Sequence, residues 1–300
     1  MMDAVLTPRM ADLGHGLVVR RLLPSAARRA VGPFVFFDHA GPVVLAPETA
    51  RQADVRPHPH IGLATVSYLL SGVVTHRDSL GVTQAIRPGD VNWMTAGRGI
   101  SHSERFDDPA AFDGAGLELL QSWVALPEAD EEMAPAFDHY PQASLPLLQR
   151  DGLWLRLIVG SAFGLSSPVR TRSPVFYAHA RLEAGATFSV PDAYAERAAY
   201  VLSGEVECGG QRHAAGRMLV FHSGTEPALR AVKSETAGSE GATVMLLGGE
   251  PLGPRHLWWD FVSSRMERIE QAKAEWRSGA MALPPHDRDE FIPLPEPAPR

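Results

Sequence analysis

The segment "SYLLSGVVTHRD" at 67–78 has a counterpart in "AYVLSGEVECGG" at 199–210, and "RPGDVNWMTAG" at 87–97 has one in "AAGRMLVFHSG" at 214–224. The copies keep their order, and their separations, 132 and 127 residues, are nearly equal. Such an internal repeat means two similar domains in tandem. Each copy reads as a strand ending in Ser-Gly, a hairpin, and a "PGD" or "AGR" turn into another strand. Further short runs, "GLVVRRLL", "LELLQSWVAL", "LWLRLIVG" and "VFYAHARL", are rich in β-branched and aromatic residues and are punctuated by Gly, Pro, Asp and Ser. Many short strands with regular turn signals indicate an all-β barrel or sandwich. The 25 prolines and 27 glycines fit that reading, and 300 residues with 45% hydrophobic content suffice for proper cores.

The repeat sets the expected boundaries at 1–134 for the first β domain and 135–262 for the second. The joint falls in "LPEADEEMAPAFDHYPQASLP" (126–146), acidic, proline-rich and without periodicity. From 263 to 300 the character changes. "SSRMERIEQAKAEWRSGAM" predicts a helix with Ser263 or Ser264 as N-cap, Met266, Ile269 and Trp276 towards one face, and Gly279 as its stop. The proline-rich stretch after it is expected to wrap over the surface or fray.

The formal charge of −7 and pI near 5.9 give no basic footprint, so direct nucleic-acid binding is not expected. The one cysteine, Cys208, excludes an intrachain disulfide and a cysteine-based zinc site. No apolar window of membrane-spanning length and no signal-peptide pattern occurs, which predicts a cytoplasmic protein without membrane association.

Chemistry concentrates in two short stretches. In "VRPHPHIGL", His58 and His60 stand at i and i+2, so an extended backbone points both imidazoles to one face. Pro57 and Pro59 stiffen the segment and lower the entropy lost on holding the pair. In "GRGISHSERF", His102 and Glu104 repeat the spacing just after the "PGD" turn. Facing strands of a small barrel would unite these four residues as metal ligands. Three nitrogens and one oxygen suit iron, nickel, manganese, copper or zinc more than magnesium or calcium. His76, His139, His179, His213, His222, His256 and His286 read as structural.

His58-x-His60, Gly72, Pro88-Gly89-Asp90 and His102 resemble the two motifs of the cupin superfamily. More narrowly, "GPFVFFDHAGP" (32–42), "RPHPHIGLATVSYLLSG", "THRDSLG", "RPGDVNWMTAGRGISHSE" and "GGEPL" (248–252) are similar to the pirin family of bicupins, most closely over residues 17–126 and more loosely to 252. The resemblance implies two tandem cupin (jelly-roll type) β-barrels with a C-terminal helix. It also implies metal ligands at His58, His60, His102 and Glu104, with Fe2+ as the expected metal and nickel, copper, manganese, cobalt and zinc as alternatives. One departure is Ala64, where many pirins carry Glu, which leaves Glu104 as the sole carboxylate ligand. The repeat offsets carry the four ligand positions onto Val190, Asp192, Leu229 and Ala231, so the second barrel is expected to hold no metal.

A site of this kind in an octahedral ion leaves two positions for substrate and O2, and Glu104 could double as the general base that takes a substrate hydroxyl proton. That is the chemistry of flavonol 2,3-dioxygenases, to which pirins are similar. The expected partners are a small aromatic or flavonol-like substrate and O2, with the chain acting as a monomer. Two other readings stay open: an iron-dependent redox-sensing regulator that binds a protein partner, and a vestigial cupin that holds metal without turnover. Around the site, Asp38 and His39 either orient a ligating imidazole or form a turn pair. Arg98 either meets an anionic substrate or pairs with Asp90, and Trp93 and Met94 read as core.

Overall fold

The computed structural model describes residues 2–12, 17–44, 50–108, 116–233 and 241–296. Among them are short strands throughout and a single α-helix near the C-terminus, arranged as two compact all-β units. These units interleave along the chain. One comprises Ala11–Val19, His39–His139 and Gly253–Arg300; the other comprises Met1–Met10, Arg20–Asp38 and Tyr140–Leu252. The blocks 1–134, 135–262 and 263–300 read from the repeat are thus not the compact units themselves.

Strand pairing explains the exchange. Met2–Leu6 lies antiparallel to Met218–Phe221, with Leu6 opposite Met218, so the N-terminus completes the second unit. Phe34 and Phe37 pack there too, their rings 5.7 Å from Tyr177 and 5.2 Å from Tyr200 respectively. Conversely, the C-terminal segment belongs to the first unit, where Ile61 bridges to Phe261.

In the first unit the strands are β1 (Val55–His60), β2 (Leu63–Ser71), β3 (Val74–Asp78), β4 (Thr83–Ile86), β5 (Val91–Thr95), β6 (Ile100–Arg105) and β7 (Leu117–Ala125). One sheet runs in the order β1-β6-β3-β4, and β5-β2-β7 lie side by side in another. Leu69, Val74, Ile86, Phe106 and Leu117 are buried in its core, and burying each such side chain contributes about 1.5–3 kcal/mol. Pro57 and Pro59 are tolerated in β1 because it is the edge strand of its sheet, where a missing N–H breaks no ladder.

The second unit repeats the plan. Its larger sheet runs Met2–Leu6, Met218–Phe221, Glu196–Ser203, Gly241–Gly249, Val175–Glu183, Leu153–Ala162 and Leu147–Arg150, and its smaller one Thr187–Ser189, Ala228–Ala231, Glu205–Cys208 and Gln211–Ala214. Leu155, Leu157, Phe176, Val201, Leu219 and Leu246 are in its core. The matched glycines of the repeat play one part in both units: Gly72 and Gly204 follow corresponding strands at φ +83° and +74°. A Cβ on Gly204 would sit 2.3 Å from the Gly241 carbonyl oxygen, so the turn requires glycine.

The helix α1 spans Met266–Ser278 and buries Ile269, Ala272 and Trp276 against Ile61 and Phe261. Gly279 ends it in the left-handed conformation (φ 73°), as expected. Its N-cap, however, is Arg265 rather than Ser263 or Ser264. Both serine hydroxyls donate instead to Glu131 Oε2, at 2.8 and 3.0 Å. Met266, expected on the buried face, is exposed in the first turn.

After the helix the chain wraps across β1 and β6. Asp287 accepts from the Ser103 hydroxyl at 2.6 Å and from two nitrogens of Arg105 at 2.7 Å each, and the Ile292 N–H donates to the Pro57 carbonyl at 2.8 Å. The tail thereby braces both strands that carry the predicted ligands. Among the described residues no helix is long and apolar enough to cross a membrane.

Candidate metal centre

Antiparallel pairing of β1 with β6 sets His58 directly opposite His102 and His60 opposite Ile100. Beyond His58 the register slips, because β1 takes three steps from Val55 to His58 where β6 takes two from Glu104 to His102. The extra residue is a β-bulge at Arg56-Pro57, a device that re-aims neighbouring side chains. The result is a cluster in which one ring nitrogen each of His58, His60 and His102 lies within 4.8 Å of the others. It is the one group of three or more histidine, cysteine or acidic side chains so gathered among the described residues. All three are buried, with His60 and His102 only 1% exposed.

The hydrogen bonds assign the tautomers. His58 Nδ1 donates to the Arg56 carbonyl at 3.0 Å and His60 Nδ1 to the Asp260 carbonyl at 3.0 Å. A carbonyl only accepts, so in a neutral ring the Nε2 atoms carry lone pairs. His60 Nε2 and His102 Nε2 stand 3.1 Å apart. Two ligands at right angles on a metal, with bonds of about 2.1 Å, would be separated by about 3.0 Å. Burial disfavours the imidazolium form throughout. It lowers His58 to about 4, and it lowers His60 and His102 well below the ordinary histidine value, with the charge of neighbouring histidines adding to the effect.

Glu104 stands beside this cluster, not inside it. Its Oε1 is 3.7 Å from His102 Nδ1, and its Oε2 is buried without a hydrogen-bond partner. Burial, reinforced by the nearby charge of Asp260, pushes its carboxyl up to about 8. Inward-facing imidazole nitrogens and an orphaned carboxylate oxygen fit a divalent cation of the nitrogen-binding class.

These shifts fix a pH dependence for the metal-free protein. The unfolded chain takes up histidine protons near pH 6.5, whereas the folded chain resists them until lower pH. Stability therefore falls as pH drops below 6.5, by up to about 1.4 kcal/mol per pH unit for each such imidazole. Glu104 has the opposite sign: its folded value of about 8 exceeds the unfolded 4.5, so it destabilises progressively as pH rises through that window. Metal-free Glu104→Gln is accordingly expected to melt above the metal-free wild type at pH 8. Coincident pH–stability profiles above pH 7 would refute the burial of that carboxyl.

The other sequence candidates divide. Asp38 is engaged by Arg21 through two hydrogen bonds of 2.8 and 2.9 Å, and His39 meets Glu118 at 3.0 Å. The partners that orient the three clustered rings are instead the carbonyls of Arg56 and Asp260 and the ring of His76, whose Nδ1 is 3.3 Å from His102 Nδ1. His76, read as structural from sequence, is a member of the site. Its signal was a third i, i+2 pair, His76 with Asp78, in "THRD". Trp123 also touches the cluster, its ring 5.1 Å from that of His60. Asp90 meets His139 at 3.8 Å, and Trp93 and Met94 are buried as core. In the second unit, Val190, Leu229 and Ala231 belong to the apolar core and Asp192 pairs with the buried Arg197 at 2.8 Å, so those positions are committed to packing and to an ion pair.

The pirin family model matches residues 16–124, and the model of the pirin C-terminal cupin domain matches residues 177–282. The chain belongs to the pirin family. A pirin-like protein of Caulobacter vibrioides is 50% identical over 297 residues, covering 99% of this chain and 100% of its own. Human pirin is 32% identical, with 88% of each chain covered. Among solved structures, a quercetin 2,3-dioxygenase from Acinetobacter baumannii superposes with a TM-score of 0.87 at 33% identity, covering 99% of this chain and 96% of that one. The all-β bicupin architecture read from the sequence is thus shown, and a metal-binding role for the histidine cluster agrees with it.

Proposed function

We propose that this pirin is a metal-dependent dioxygenase of the quercetin 2,3-dioxygenase type, which opens a flavonol-like ring with O2 at a site held by His58, His60, His102 and Glu104. The observation that carries the reading is the convergence of three buried imidazoles within 4.8 Å of one another, with the Nδ1 atoms of His58 and His60 donating to backbone carbonyls so that their Nε2 lone pairs stay free. Similarity along 99% of the chain to a quercetin 2,3-dioxygenase supports the substrate class. Fe2+, if it is the bound ion, would supply Lewis acidity and electron exchange with O2.

The chain's own residues do the rest. His58, His60 and His102 would hold the ion, with the Nδ1–H groups of His58 and His60 tied to backbone carbonyls that fix the orientation of those two rings. Glu104 is both the fourth ligand and the proton acceptor. Its Oε2, buried without a hydrogen-bond partner, is the oxygen placed to receive the proton of the substrate hydroxyl as the substrate docks. Trp123 provides an apolar wall beside His60.

The test is O2 uptake with quercetin under iron, nickel and copper loading. Turnover is expected in the wild type and not in His58→Ala, and Glu104→Gln at saturating metal should lose about 10²–10⁴-fold in kcat, the usual contribution of a general base. One metal per chain with no quercetin turnover under any of the three would overturn the dioxygenase reading and favour an iron-dependent regulator of a protein partner.

A further inference from the structure

The three imidazoles need their Nε2 atoms free of protons, and two of them achieve this through backbone carbonyls. His102 has no such carbonyl. Its Nδ1 faces another histidine nitrogen, His76 Nδ1, at 3.3 Å, a contact that either ring could donate. What decides the direction lies one residue further out. Asp78 is completely buried, and its Oδ1 accepts the backbone N–H groups of Leu80 and Val82 at 2.9 and 3.1 Å. Its Oδ2 is 2.9 Å from His76 Nε2. With Oδ1 taken up by two backbone N–H groups, Oδ2 is the acceptor that faces His76 Nε2, so with one proton on the His76 ring that proton sits on Nε2 and Nδ1 is left as an acceptor. His102 must then donate from Nδ1, which leaves its Nε2 unprotonated and facing His60.

The strand register brings these residues side by side. β3 pairs with β6 so that Asp78 lies opposite His102 and His76 opposite Glu104. Phe137 stacks on His76 with centroids 4.3 Å apart and planes 18° apart, which holds the intermediate ring flat.

We propose that Asp78 and His76 form a two-step hydrogen-bond relay that locks His102 in its Nδ1–H tautomer and thereby holds its Nε2 open for a metal. Both are positioning residues, acting through His102 without touching the ion. Carboxylate–histidine–metal arrangements are a common means of orienting a ligand; here a second imidazole is interposed. The proposal rests on the reading that the cluster binds a metal.

The relay makes a signed prediction. Asp78→Asn replaces an acceptor with an amide that can donate to His76 Nε2. The proton on His76 then moves to Nδ1, His102 Nδ1 must accept, and its proton moves to Nε2, where it blocks the site. The same logic of tautomer inversion explains the loss of activity when the aspartate of a serine-protease triad becomes asparagine. His76→Leu removes the relay, whereas His76→Asn can place its amide oxygen where Nδ1 stood and preserve the acceptor.

Two measurements on the full chain test it. The first is ¹⁵N NMR of the imidazoles in metal-free protein: His102 is expected to be protonated at Nδ1 in the wild type and at Nε2 in Asp78→Asn. The second is titration with cobalt(II) alone, read from its visible spectrum. Asp78→Asn and His76→Leu are expected to weaken binding about 10–100-fold, and His76→Asn to stay within a few-fold of the wild type. An Nε2–H tautomer of His102 in the wild type, or undiminished cobalt affinity in Asp78→Asn and His76→Leu, would overturn the relay. A wild type with the Nδ1–H tautomer that binds no cobalt would sink the metal reading while upholding the tautomer. Should the variants fail to fold, the wild-type spectrum decides by itself.

Discussion

Replacing His60 with alanine is expected to abolish stoichiometric metal binding and to erase the stabilisation that metal confers. His60 is central on three counts: it is 1% exposed, its Nε2 stands 3.1 Å from that of His102, and its ring packs on both His58 and Trp123. A ligand present at about a thousand times its dissociation constant stabilises the folded state by about 4 kcal/mol. The wild type should therefore melt higher by several degrees when metal is added. His60→Ala should show no such rise, and calorimetric titration should find no tight site. Removing an imidazole from a buried cluster also leaves a cavity, so the metal-free variant is expected to be less stable than the metal-free wild type at neutral pH. An unchanged metal-dependent melting shift in His60→Ala would mean that the ion binds elsewhere.

The second large effect is expected two residues away, at Gly62→Ala. Gly62 has φ +66°, and a Cβ there would lie 2.0 Å from the carbonyl oxygen of Val262, a backbone atom that cannot swing aside. The position is fixed on every side: its N–H donates to the Gly97 carbonyl at 2.8 Å, its own carbonyl accepts from Leu126 at 3.0 Å, and the Val262 N–H donates to the Ile61 carbonyl at 3.2 Å. The left-handed backbone alone penalises alanine by about 1–2 kcal/mol. With the displacement of Phe261–Ser263 added, the total should reach about 3 kcal/mol or more. That segment follows Asp260, whose carbonyl orients His60, so metal affinity should fall together with the melting temperature. Gly164→Ala is the control. Gly164 has a similar φ of +74° but nothing within 4 Å of the added Cβ, so it should show the backbone penalty alone. Equal losses at the two positions would refute the steric account.

How far the sequence foretold this arrangement depended on the distance over which each feature acts. Strand alternation is local, so the facing of His58 with His60, and the repeated strand–glycine–strand units around Gly72 and Gly204, were legible from the chain itself. Register is not local. "THRD" shows the spacing of His76 to Asp78 but not that β3 aligns Asp78 with His102, and that pairing is what brings His76 into the site. The same holds for the brace of Arg105 against Asp287, 182 residues apart. It holds also for the exchange of segments between the two units, which follows from the pairing of Met2–Leu6 with Met218–Phe221.

Local signals can be overridden as well. Ser263 and Ser264 have the chemistry of an N-cap, but Glu131 offers each hydroxyl a carboxylate oxygen, and a charged acceptor is the stronger partner. Glu104 was singled out as a candidate fourth donor from its spacing to His102. Its distance from the imidazole cluster was not, because the bulge at Arg56-Pro57 displaces β1 against β6 at that level.

The account turns on whether the Nε2 atoms of His58, His60 and His102, together with a Glu104 oxygen, share one ion. Crystals of the full chain grown with iron(II) under anaerobic conditions, with diffraction recorded across the iron absorption edge, address this directly. The account predicts a single anomalous peak in the first unit, within about 2.0–2.3 Å of all four side chains, distances usual for metal–nitrogen and metal–carboxylate bonds. A peak bound by other residues, or none at these histidines in iron-saturated protein, would contradict it.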